Sequence, residues 1–320
     1  MPISAEVLAN VKAERIRRVS DLANRRTRER VGRFLIEGPQ SVREVVAWRP
    51  EVVRDLYVEA SGSEPDAPIA GPVIATIASR ALAAGIYVHK VTRDVMAKIS
   101  ADAQGIVAVG DIDAMVQTMR FDNAQTNDTS SKPNADDHDA NDVAGRIAGD
   151  TGDTTVTDCA NVAAFWQVRD PGNAGTVIRA ADAAGCAAVI FVDDCVDVFN
   201  PKVIRSTAGS LFHLPVIAMR TDEFFDWASE HHMRIIAADV YGTETHTPDS
   251  LPDVLAERVG RAYASNGEAI LFGNEARGLP EAILDNSDRI VSIPIYGKAE
   301  SLNLATSAAV MLMSLAMTRQ

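Results

Sequence analysis

The sequence predicts an α/β protein built as two successive units, the second arranged around a parallel sheet. Three observations carry this reading. From residue 157 onward, short apolar runs alternate with helical segments, and residues 187–192 are apolar almost without a break, as strands covered on both faces are. A smaller strand-and-helix series occupies residues 1–112. Between the two, residues 113–156 contain a tract, 119–156, dominated by Asp, Asn, Thr, Ser, Ala and Gly. Such a composition cannot bury enough apolar surface to offset its ordering entropy, so this segment reads as a linker or an insertion.

Taken in order, residues 4–30 read as one or two charged helices. Residues 34–39 form a short apolar run stopped by Gly38 and Pro39, and Val42, Val45 and Val46 give 40–48 helical spacing. Strands are expected at 52–58, 86–91 and 106–109, and helices at 73–84 and 93–99. In the second unit, strands are expected at 162–168, 187–192, 215–219, 234–239, 269–272 and 290–295. Helices are expected to open at Asn173 or Gly175, at Asn200 and at Asp222. The last helix, from Leu302 to Met317, is apolar on almost every side yet shorter than the roughly 20 residues a membrane span needs. It therefore belongs in a core or at a subunit interface, with Ser301 as its N-cap.

The 320 residues are enough for two domains, and 47% of them are apolar. No leader peptide or membrane span is expected. Three cysteines without a Cys-x-x-Cys pair fit a reducing cytoplasm and speak against a zinc site, and the six histidines show no ligand spacing. No metal is expected. The net charge of −13 speaks at first against a nucleic-acid partner, but the charge is unevenly distributed. Residues 11–33 carry nine basic against three acidic residues, a local balance of +6, while 119–156 hold eight aspartates against Arg120, Lys132 and Arg146. A run of arginines is either a solvated helix face or a phosphate-binding surface, since guanidinium forks fit phosphate oxygens.

Three strand-to-helix loops share one punctuation of glycines and polar residues: 168–185, 270–280 and 290–303. The spacing from Asn173 to Arg179, the Gly273-Asn274-Glu275 run with Gly278, and Ser301-Leu302-Asn303 resemble the three signature motifs of the SpoU/TrmH family. These are the knotted SPOUT RNA 2′-O-ribose methyltransferases. Residues 34–38 with Ser41, Val42 and Val45, and later 104–109, resemble the L30e-like substrate-binding domain that precedes the catalytic domain in many members. No Gly-x-Gly-x-x-Gly follows the first strand of the second unit, so an ordinary dinucleotide fold is disfavoured.

The resemblance implies a SPOUT domain over 157–320 with a deep trefoil knot, behind an L30e-like domain over 1–112. It implies methyl transfer from S-adenosylmethionine to a ribose 2′-hydroxyl, leaving S-adenosylhomocysteine. It places the cofactor against Leu271, Phe272, Gly273, Asn274, Gly278, Ile293, Ile295, Ser301, Leu302 and Asn303, mostly through backbone. It assigns the chemistry to Arg179, Asn173, Glu275, Ser301 and Asn303. The family's usual role for the arginine is general base, but a guanidinium is always protonated. An electrostatic clamp on the target phosphate and forming alkoxide suits Arg179 better. Asn173 is expected as a helix N-cap beside it, and Glu275 as a loop anchor that accepts backbone N–H groups or pairs with an arginine. Arg25, Arg26, Arg28 and Arg33 of the basic run, with Lys202 and Arg205, are expected to meet RNA. The expected substrate is ribosomal rather than transfer RNA, and the expected partner is a second copy joined through the last helix. A non-enzymatic RNA-binding protein needs only the basic arm. An enzyme for a phosphorylated metabolite needs only the loops.

Overall fold

The computed structural model describes residues 3–119, 161–259 and 267–318. The acidic tract from residue 120 on lies outside the described residues.

The first unit runs β1 (Ile3–Leu8), α1 (Glu14–Ser20), α2 (Arg25–Val31), β2 (Arg33–Glu37), α3 (Pro39–Trp48), β3 (Val53–Glu59), α4 (Pro72–Ala83), β4 (Tyr87–Val91), α5 (Arg93–Ile99), β5 (Ile106–Asp111) and α6 (Ile112–Thr118). Its sheet order is β1-β4-β3-β5-β2, with β5 antiparallel to both neighbours. Helices α1 and α5 cover one face through Ile16, Val19, Val95 and Met96. Helices α3, α4 and α6 cover the other through Val42, Val45, Ile77 and Met115. Two elements depart from the sequence reading. Residues 3–8 are a strand that pairs with β4, not part of a charged helix. Helix α6 carries ordered structure past residue 112, capped by the Asp111 side chain, which accepts from Ala114 N.

The second unit runs β6 (Val162–Trp166), α7 (Pro171–Ala183), β7 (Ala188–Val192), α8 (Pro201–Ser206), β8 (Val216–Met219), α9 (Thr221–Glu230), β9 (Arg234–Ala238), β10 (Asp249–Ser250), α10 (Leu251–Arg258), β11 (Glu268–Phe272), α11 (Glu281–Asp285), β12 (Arg289–Ser292) and α12 (Leu304–Met317). The sheet order is β10-β12-β9-β11-β6-β7-β8, and every pairing is parallel. Alternate residues of each strand enter opposite cores. Phe165, Phe191 and Phe272 pack with α7, α8 and α12, while Ala164, Ile190 and Leu271 pack with α9 and α11. This explains the unbroken apolar runs: both faces of the sheet are covered.

The two units share one core. Phe34 of β2 packs on Phe199, just ahead of α8, with ring centroids 4.8 Å apart. Val203 and Ile204 of α8 are fully buried in the same cluster as Phe34, Ile36 and Val42.

Candidate active site

Strands β6, β11 and β12 all end at the same edge of the parallel sheet, where ligands bind in open α/β folds. The loops leaving them carry the three motifs. Asp170 caps α7, its Oδ1 accepting from Asn173 N at 2.8 Å, and Pro171 follows at the first helical position. The cap is therefore Asp170 and not Asn173. This frees the Asn173 amide. Its Nδ2 donates to Glu275 Oε1 at 3.1 Å, and its Oδ1 accepts from Asn303 Nδ2, also at 3.1 Å. One side chain thus joins three loops, 102 and 130 residues away in the chain.

The third loop has a similar correction. Asn303, not Ser301, caps α12, with its Oδ1 accepting from Ala305 N at 2.9 Å. The cap fixes which way the amide points, and so leaves Nδ2 for Asn173. Ser301 is exposed, two residues ahead of the cap. Among the described residues, Glu275 accepts neither a backbone N–H nor an arginine. Its Oε2 accepts from Asn274 Nδ2 at 3.4 Å instead. The buried Asn274 is a bracket, since the same Nδ2 donates to Gln167 O at 2.7 Å and its Oδ1 accepts from Ala276 N.

Gly273 lets this loop fold back on itself. A Cβ there would lie 2.6 Å from Leu279 N and 2.7 Å from Gly278 O. Gly278 sits at φ +66°, and Asn274 and Gly278 exchange backbone hydrogen bonds. Leu271 and Phe272 are each 1% exposed, and Phe272 stacks on Phe165 at 5.1 Å. Only their backbone is therefore available at the sheet edge. Across from them, the backbone of 294–302 forms no hydrogen bond to other backbone groups among the described residues. Ile293, Ile295 and Leu302 are half-buried there. Apolar side chains beside unpaired amides and carbonyls suit a ligand with a flat ring and a polar edge. An open cavity of about 430 Å³ is lined by Asp239, Tyr241, Arg277 and Leu279 among others, next to Gly278, although none of the expected cofactor residues lines it.

Arg179 lies two turns into α7 on the solvent side with Thr176, and it has no ion pair among the described residues. Arg25, Arg26, Arg33 and Lys202 are exposed, Arg25 donating to Glu29 Oε1 at 2.8 Å. Two expected RNA contacts are elsewhere. Arg28 is 2% exposed, donates to the carbonyls of Leu22 and Ala23, and pairs with Asp197. Arg205 pairs with Glu37 and, at 3.0 Å, with Asp102. Both guanidiniums are taken by carboxylates of the other unit, so neither is free for phosphate.

Sequence reasoning missed Asp170, although an Asp-Pro pair ahead of a helix is a recognised start signal. It also missed Gln167, which is held at φ +51° and whose Oε1 accepts from Arg277. No local pattern marks that residue. Among the described residues, no group of three His, Cys, Asp or Glu could hold a metal, and no helix is long and apolar enough to cross a membrane.

Residues 160–313 match the SpoU rRNA Methylase family, and residues 13–108 the MRM3-like substrate binding domain. The chain is 38% identical over 144 residues to the 23S rRNA (guanosine(2553)-2′-O)-methyltransferase RlmP of Bacillus subtilis, a match covering 45% of this chain and 53% of that one. It is 34% identical over 149 residues to the 23S rRNA (uridine(2479)-2′-O)-methyltransferase of Streptomyces viridochromogenes, covering 46% and 49%. The chain thus spans about half the length of the curated relatives it matches. Solved structures extend the likeness in fold. The SpoU methyltransferase AviRb from Streptomyces viridochromogenes, in complex with AdoMet, superposes with a TM-score of 0.66 at 23% identity over 96% of this chain and 99% of that one. An AdoMet-bound rRNA methyltransferase from Sinorhizobium meliloti gives 0.66 at 22% identity over 97% and 96%. The likeness to the SpoU rRNA methylase family thus runs through residues 160–313, with that to the MRM3-like substrate binding domain ahead of it over residues 13–108.

Proposed function

We propose that this protein is an S-adenosylmethionine-dependent 2′-O-ribose methyltransferase acting on ribosomal RNA in the cytoplasm. The observation that carries the reading is the Glu275–Asn173–Asn303 hydrogen-bond chain, which draws three distant loops to one sheet edge. A bare fold has no need of it. The ribosomal substrate is supported by what the curated relatives are named for.

The residues present fit the cofactor. Ile293, Ile295 and Leu302 offer half-buried apolar contact, and the backbone of 294–302, without backbone partners among the described residues, offers donors and acceptors together with that of Gly273. S-adenosylmethionine, when bound, supplies an electrophilic methyl group. The rest falls to the chain. Arg179 has no carboxylate partner among the described residues, and its fork suits a phosphate oxygen and favours negative charge building on the 2′-oxygen. Asn173 and Asn303 keep their amides oriented through Glu275 and the α12 cap, which preorganises the loops around the reacting atoms. Arg25, Arg26, Arg33 and Lys202 supply exposed positive charge for the RNA backbone.

The proposed partner is a second copy. Val310, Met313 and Met317 lie on one side of α12, 38%, 37% and 63% exposed, while the opposite side is buried. An apolar stripe beside the catalytic helix suits a two-fold interface. The C-terminal return, with β12 seated between β9 and β10, is read as the trefoil knot the resemblance implies.

The test is transfer of labelled methyl from S-adenosylmethionine to rRNA, with 2′-O-methylation mapped in RNA from cells with and without the protein. Arg179→Ala should abolish transfer and leave S-adenosylhomocysteine affinity within a few-fold. Arg179→Lys separates charge from fork geometry. Normal turnover by Arg179→Ala removes that residue from the mechanism.

A further inference from the structure

Helix α8 is held from two sides. On one side Arg205 pairs with Glu37, which is 6% exposed at the end of β2, and with Asp102 of the same first unit. On the other side α8 meets α7 backbone to backbone. A Cβ on Gly175 would stand 2.5 Å from Val203 O and 2.9 Å from Ser206 C. Gly175 lies two residues after Asn173 and one turn before Arg179. Between the two sides, Val203, Ile204 and Thr207 are fully buried, so α8 has no room to slide independently.

We propose that Arg205 is a positioning residue for methyl transfer. Its ion pair with Glu37 sets where α8 rests, and α8 sets where α7 holds Asn173 and Arg179. Transfer would then depend on the docked position of the substrate-binding domain, which reports to the active site through α8. This rests on the methyltransferase reading for its activity half only, since the movement of α7 can be observed without turnover.

The experiment uses the full chain and the variants Arg205→Gln, Arg205→Lys and Glu37→Gln. Single-turnover transfer is measured at saturating RNA and cofactor, below the melting point of each variant. Affinities for S-adenosylhomocysteine and RNA are measured separately, and hydrogen exchange is followed across residues 171–183. Arg205→Gln and Glu37→Gln should each slow transfer by tenfold or more. Cofactor affinity should stay within twofold, and α7 amides should lose protection while strand β7 keeps its own. Arg205→Lys should recover most of the rate. Unchanged α7 exchange in Arg205→Gln overturns the proposal whether or not the wild type transfers methyl. So does a transfer rate within twofold of wild type, or a weakened RNA affinity at unchanged rate. Absence of transfer by the wild type overturns the proposed function and leaves the exchange result to decide the coupling.

Discussion

Gly175→Ala isolates the contact between the two helices. The residue sits inside α7, so an added methyl gains about 1 kcal/mol of helix propensity. It also meets the carbonyl oxygen of Val203 and the carbonyl carbon of Ser206, at 2.5 and 2.9 Å. Both are main-chain atoms of α8, and no rotamer change relieves them. Overpacking a filled site costs about 1–3 kcal/mol, and rigid neighbours place this case at the upper end. The net effect is a loss of about 2 kcal/mol. For a protein of this size that lowers Tm by about 3 °C. A circular-dichroism melt reads it directly. Thr176→Ala, one residue on and on the exposed side of the helix, is the control and should move Tm by less than about 2 °C. Transfer should fall as well, because the shift of α7 stretches the 3.1 Å bonds of Asn173. A Tm equal to or above wild type would mean that α7 and α8 part freely. The proposed coupling through Arg205 would then lose its physical basis.

Arg25→Ala with Arg26→Ala should flatten the salt dependence of RNA binding by roughly 0.7–0.9 in log–log slope per lost phosphate contact. An unchanged slope would make that helix a plain solvated face. Arg28→Met should instead destabilise the fold by about 3–5 kcal/mol, because it strands Asp197 at the domain junction, and a denaturant titration measures it. Met313→Glu should yield monomers with little activity, and a wild type that scatters light as a fully active monomer refutes the dimer. Asp55 tests pH linkage. The hydrogen bond from His89 Nε2, 2.9 Å away, is the first cause holding its carboxyl below the ordinary 3.8. A depressed carboxylate stabilises fully above 3.8 and loses that effect as pH falls through the folded value. Asp55→Asn should therefore cost about 1.5–3 kcal/mol at pH 7, with the gap to wild type closing below pH ~4. A pH-independent gap would assign the loss to packing.

Much of this was legible because periodicity reports burial. The unbroken apolar strands of the second unit and the valines of α3 stand where the pattern expects them. What stayed hidden depended on distant partners. Strand β1 is half-apolar and short, and among the described residues its strand partner is β4, some eighty residues on. Arg28 and Arg205 read as solvent-facing because charge spacing within a helix says nothing of a carboxylate 169 or 168 residues away. The caps failed for a subtler reason. Asp170 and Asn173, or Ser301 and Asn303, are equally good capping residues by type, and only the backbone turn chooses between them. That choice decides which amide is left for the active site.

The core shared by the two units also has a temporal side. Arg28 and Asp197 are 169 residues apart. At about 5–20 residues per second of synthesis, roughly 8–34 s separate the appearance of one from the other. Phe34 leaves the ribosome within the same early stretch, long before Phe199 exists to cover it. During that interval the nascent first unit presents an apolar seam with a buried-type arginine at its edge and nothing to close it. That seam closes only when Phe199 and α8 have been made.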